Sequence, residues 1–133
     1  MQDLLKLLKV SNQNLQILHR NVASSNWFPT HEKLGEYYDK VQLILDDLCE
    51  MNLALGNKEP LMSESLKSYD ELEITERNEK ESFNLVIEMF NNIVIEINRV
   101  LEKEIPDDFK NKLQEYQEYF RKEAEYKLTR ATK

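Results

Sequence analysis

The chain has 133 residues, 25 acidic and 18 basic side chains for a formal charge of −7, two glycines, three prolines and one cysteine. Hydrophobic residues at 41% and charged residues at 32% exclude a disordered or collagen-like chain and point to helices around one core. The acidic balance argues against general adhesion to nucleic acid or anionic lipid, and the lone Cys49 excludes an intramolecular disulfide framework or a multi-cysteine zinc site.

The first predicted helix runs over about residues 3–22, with Leu4, Leu5, Leu8, Leu15, Leu18 and Val22 on one face. Its start, Met1 to Val10, places Lys6 and Lys9 among leucines without a small-residue cleavage site. It reads as an amphipathic helix and not as a signal peptide. Residues 23–29 form a polar break, and Thr30 is a suitable N-cap for a second helix over 30–55. Leu34, Tyr38, Val41, Leu45, Leu48 and Leu55 form its apolar stripe, Gly56 is placed to end it, and Pro60 follows.

Residues 57–72 are too long a connection for a hairpin turn, and Leu61, Met62, Leu66 and Tyr69 suggest a short helix over about 62–69 lying across the others. A third long helix is expected over about 73–104. There Phe83, Val86, Phe90, Ile93, Ile97 and Val100 recur in steps of three and four. Pro106 ends it, and Asp107 or Asp108 opens a fourth over 107–129, patterned by Phe109, Leu113, Tyr116, Phe120, Ala124 and Leu128. The last thirteen residues carry five Lys/Arg and two Glu, a composition suited to complementing a helix C-terminus. The expected fold is all-α. It is a single ferritin-like four-helix bundle, residues 1–133, whose long central crossover carries a short helix. No segment approaches the roughly 18–20 apolar residues that span a bilayer. With one cysteine, this fits a reducing, cytoplasmic setting.

The candidate chemistry rests on the only two histidines, His19 and His31, and on Asp46 and Glu50. An antiparallel hairpin of the first two helices brings the two imidazoles to one level. Asp46 and Glu50, at i and i+4, share a helix face. Imidazole with carboxylate suits iron, manganese or zinc. Yet fifteen residues separate His31 from Asp46, roughly 22 Å along one helix, so one chain cannot close both halves on the same ion. A complete site requires a second copy, most simply across a twofold axis.

The segments Leu18-His19-Arg20-Asn21-Val22 and Asn26-Trp27-Phe28-Pro29-Thr30-His31-Glu32 resemble the Dps family of mini-ferritins. So do Asp46-x-x-x-Glu50 and the crossover Ala54-Leu55-Gly56-Asn57-Lys58-Glu59-Pro60-Leu61. The detailed likeness covers residues 15–66, and the helix layout covers nearly the whole chain. The resemblance implies a twelve-subunit cage that binds and oxidises Fe(II) at sites between subunits, often with peroxide, and stores ferric mineral inside. It implies His19 and His31 as metal ligands from one chain, with Asp46 and Glu50 as catalytic carboxylate ligands from its partner. Glu50 is suited to bridging two irons and Asp46 to anchoring the tighter one.

Two positions depart from the family pattern. Gly35 stands where the family commonly has Asp, four residues after the second histidine, so the second iron is weakly held or only one metal binds. Arg20 stands where the family has Trp, and a cation there is harmless only if it points outward. The absence of a lysine-rich leading tail argues against direct DNA binding. The aromatic set of Trp27, Tyr37, Tyr38, Tyr116, Tyr119 and Tyr126 reads as core and interface more readily than as a redox relay. The alternative function is a non-catalytic structural or interaction protein that keeps the fold and assembly.

Overall fold

The computed structural model describes all residues, Met1–Lys133. The chain forms α1 (Gln2–Asn21), α2 (Trp27–Ala54), the short α3 (Met62–Ser68), α4 (Glu79–Leu101) and α5 (Asp107–Arg121). The last helix continues through a π-helical segment, Lys122–Leu128, to a final turn, Thr129–Ala131. α1 packs against α2, α3 and α4, while α4 also receives α5 and the π-helical segment. The result is a ferritin-like bundle of two helical hairpins joined by a crossover that carries α3.

The heptad-like spacing explains the packing. Phe83, Val86, Phe90, Ile93, Ile97 and Val100 of α4 are all buried, facing Leu4, Leu5, Leu8, Leu15 and Leu18 of α1 and Leu113, Tyr116 and Phe120 of α5 in one core. Phe90 sits at its centre, with Tyr37 and Phe120 edge-on at 5.1 and 4.9 Å, a favoured aromatic arrangement. No helix is long and apolar enough to cross a membrane.

Several details differ from the sequence reading. α2 begins at Trp27, so Thr30 lies inside the first turn, where its hydroxyl donates to the Asn26 carbonyl at 2.8 Å. Pro29 is tolerated there because an N–H in the first turn has no intrahelical acceptor. α4 begins at Glu79, not near residue 73. Asn78 caps it by accepting from the Glu81 N–H at 2.8 Å, and the Glu81 carboxylate accepts from the Asn78 N–H. The preceding residues stay extended because α1 holds them: Asn14 donates to the Asp70 carbonyl at 3.0 Å and accepts from the Leu72 N–H at 2.8 Å. Ala23 N–H likewise donates to the Arg77 carbonyl at 2.9 Å.

Tyr37, not Tyr38, is the fully buried member of its pair, and Leu55, Leu61 and Leu66 are exposed. Gly56, with φ +85°, stands just past the end of α2. Its N–H donates to the Leu53 carbonyl at 2.9 Å and Asn57 N–H donates to the Asn52 carbonyl at 3.1 Å. That paired closure requires the left-handed conformation that glycine adopts without cost.

Candidate metal centre

The connection between α1 and α2 is short, so the end of α1 and the start of α2 lie side by side. His19 and His31 meet there as a stacked pair, ring centres 3.8 Å apart and planes inclined by 16°. Each backbone secures the other ring: His19 Nδ1 donates to the His31 carbonyl at 2.7 Å, and His31 Nδ1 donates to the His19 carbonyl at 2.7 Å. A carbonyl only accepts, so both Nδ1 atoms carry the proton, and in the neutral rings both Nε2 atoms keep a free lone pair. This backbone support is the kind that orients metal-binding imidazoles and fixes their tautomer.

Trp27 lies against the other face of His31 at 4.2 Å and 13°, making a three-ring stack, and Tyr38 approaches His19 at 5.7 Å. Trp27, His31 and Gly35 succeed one another at four-residue intervals on α2. This spacing on one helix face is the signal of the stack in the sequence. Gly35 is buried against His19, so its lack of a side chain coincides with the ring's position. Arg20 is exposed, and its guanidinium donates to Gln16 at 3.0 Å, back along α1.

Asp46 and Glu50 are exposed on α2 and line one open groove with Lys9, Gln13, Gln42 and Cys49. Gln42 donates to the Asp46 carboxylate at 2.9 Å, orienting it along the helix surface. Cys49 donates to Glu59 at 3.5 Å, and burial with the facing Glu59 carboxylate pushes its thiol up to about 11. The thiol is therefore protonated near neutrality and serves as a packing residue rather than a nucleophile. Lys9 pairs with Glu59 at 2.7 Å and holds that carboxyl below its ordinary value.

No three of the histidine, cysteine and carboxylate side chains of one chain converge where they could hold a metal ion. The unbroken α2 separates the imidazole half from the carboxylate half by roughly 22 Å at 1.5 Å per residue. The rings of His19 and His31 are half-buried, and Asp46 and Glu50 are exposed. What this arrangement does alone is orient two imidazoles at one end of α2 and place two carboxylates toward the other.

A second polar cluster lies close by but inside the bundle. Glu123 of the π-helical segment is buried and accepts from Tyr37 at 3.2 Å, while Lys33 and Lys127 pair with it at 3.4 and 2.8 Å. Burial raises the Glu123 pKa, but the hydrogen bond and charge of Lys127, together with Lys33, outweigh it and hold the carboxyl below its ordinary value. Burial and the facing Glu123 carboxylate raise Tyr37 well above its ordinary value, so the phenol remains a donor.

No protein-family model matches the sequence, and no curated protein does. Solved structures do match. Antigen TpF1 from Treponema pallidum superposes with a TM-score of 0.91 at 21% identity, over 99% of this chain and 88% of that one. Dps from Staphylococcus aureus gives 0.89 at 19% identity, over 99% and 91%. A DPS protein from Vibrio cholerae O1, described as a member of a broad superfamily of ferritin-like diiron-carboxylate proteins, gives 0.88 at 22% identity, over 99% and 86%. The fold is that of Dps-type ferritin-like proteins.

Proposed function

We propose that this chain is a Dps-like mini-ferritin subunit that takes Fe(II) as substrate at sites between copies. Each such site combines His19 and His31 of one copy with Asp46 and Glu50 of a second, and the ferric product is stored in a cage of twelve. The observation that carries this reading is the locked histidine pair: mutual Nδ1–carbonyl bonds leave both Nε2 lone pairs free on half-buried rings. The outward-facing Asp46 and Glu50 supply the hard oxygen donors that favour Fe(III) over Fe(II) and so help drive oxidation. The electrons pass to oxygen or peroxide. Arg20 is no obstacle, since its charge is turned back to Gln16.

A second reading rests on Gly35, which supplies no oxygen: the chain keeps the fold and assembly as a non-catalytic structural or interaction protein. Aerobic Fe(II) added to the size-fractionated protein separates the two, with ferric absorbance followed beside His31→Ala and Asp46→Ala. Rapid oxidation with soluble iron retained in a large assembly, lost in both variants, is the expected result. Oxidation no faster than buffer sinks the ferroxidase reading and leaves the structural one.

A further inference from the structure

The groove that holds Asp46 and Glu50 is walled from three directions: by Lys9 of α1, by Asp46, Cys49 and Glu50 of α2, and by Glu59 of the crossover. Its charged groups are three carboxylates and a single ammonium, that of Lys9. An ammonium and a metal cation compete for the same carboxylates, so the direction of Lys9 decides how much negative charge the groove offers.

Lys9 pairs with Glu59 at 2.7 Å and with no other carboxylate. Its side chain is only 18% exposed, so an ammonium deprived of this partner is left poorly solvated and must find another acid. A lysine head on its flexible four-carbon stem re-aims easily. The other carboxylates of the groove are Asp46 and Glu50. Cys49, whose thiol donates to Glu59 at 3.5 Å, lies within the fields of both Lys9 and Asp46, which shows how short the swing is.

The crossover gives Glu59 a defined place although its side chain is 55% exposed. The Lys58 carbonyl accepts from Gln2 of α1 at 2.7 Å and from the buried Asn52 of α2 at 3.2 Å. On the other flank Pro60 is buried, and the Leu61 N–H donates to Glu64 at 2.9 Å where α3 begins. Both neighbours of Glu59 are therefore tied down, and the carboxylate meets Lys9 across the groove.

We propose that Glu59 is a positioning residue of the metal groove: by holding the Lys9 ammonium it keeps Asp46 and Glu50 unmasked and open to a divalent cation. It acts through Lys9 and is not itself a ligand. This rests on the inter-subunit metal site proposed above, to which Asp46 and Glu50 contribute.

The test titrates Mn2+, a hard cation suited to carboxylate oxygen, into the assembled protein and follows the paramagnetic resonance of the free ion as it is lost on binding. Wild type is expected to bind Mn2+, and Asp46→Ala to lose most of that binding. Glu59→Ala releases Lys9 and is expected to weaken binding about tenfold. Lys9→Met keeps most of the stem without the charge and is expected to bind at least as tightly as wild type. The double variant Lys9→Met/Glu59→Ala has no cation to release, and is expected to return to within about threefold of wild type. A Glu59 that held the metal itself, or that only braced the fold, would leave the double variant as weak as Glu59→Ala. That result overturns the proposal, as does Glu59→Ala titrating like wild type or Lys9→Met binding more weakly. No Mn2+ bound by wild type, or binding untouched by Asp46→Ala, defeats the inter-subunit site itself and this proposal with it.

Discussion

Two polar clusters share the first turns of α2, and they are built on opposite principles. At Glu123, the carboxylate is buried and each oxygen is engaged, by the Tyr37 hydroxyl and the Lys33 and Lys127 ammonium groups. At His19 and His31, each ring spends one nitrogen on backbone and leaves the other free at a half-buried position. The first arrangement ties the π-helical segment to α2 and leaves neither carboxylate oxygen without a partner. The second fixes orientation while keeping lone pairs in reserve, which a ligand site requires and a structural pair does not.

The largest expected effect breaks the comparison on the histidine side. His31→Ala or Asp46→Ala should reduce Fe(II) oxidation to the rate of buffer. Substitution of the exposed Asp46 should leave thermal stability within about 0.5 kcal/mol, while His31→Ala forfeits a hydrogen bond and two ring contacts and should cost about 1 kcal/mol. Oxidation unchanged in His31→Ala would mean that the histidine pair is a strut. On the other side, Glu123→Ala strands the buried Tyr37 hydroxyl and removes two ion pairs. It should cost about 2 kcal/mol in a denaturant melt and leave the rate of Fe(II) oxidation by the folded protein unchanged.

A smaller effect is expected in acid. The native Glu123 carboxyl lies below its ordinary value of 4.5, so the unfolded chain takes up this proton first as the pH falls. The stability it confers is therefore present above pH 4.5 and lost as the pH drops through the depressed native value. Glu123→Gln should be less stable than wild type at neutral pH and should show a shallower acid decline. Parallel curves for the two proteins would show that the carboxylate charge contributes nothing. The smallest effect is predicted for Arg20→Ala. Its guanidinium meets only Gln16 at the surface, so metal affinity and stability should each move by less than about 0.5 kcal/mol. A large gain in metal affinity would place that charge at the site.

The apolar rhythm was enough to read most of the architecture. The steps from Phe83 to Val100 all reach the core because a helix of 3.6 residues per turn returns them to one face. The linear pattern misleads where local rules meet a distant contact. Tyr38 fits the stripe of α2 as well as Tyr37 does. Tyr37 is the one fully buried because its hydroxyl finds Glu123, 86 residues later in the chain. The pattern puts the start of α4 too early because nothing local reveals that Asn14 of α1 binds the backbone of Asp70 and Leu72. Glu123 itself carries no sequence signal: a carboxylate among the lysines of a terminal helix looks like a solvated residue. Its burial depends on which groups α2 brings to meet it.

By itself the sequence determined the all-α class, the bundle with its crossover, the proximity of the two histidines, and the carboxylate pair one helical turn apart. These follow from periodicity, short connections and rise per residue, which act locally along the chain. Only the tertiary structure decided that each imidazole is secured by the other's backbone, that Trp27 extends the stack, and that Gly35 is a notch and not merely an absent ligand. Such contacts depend on how closely two helices approach and on which rotamers that spacing admits. A linear pattern of residue types records neither, because a position left empty by drift and one emptied to receive a ring are both written as glycine.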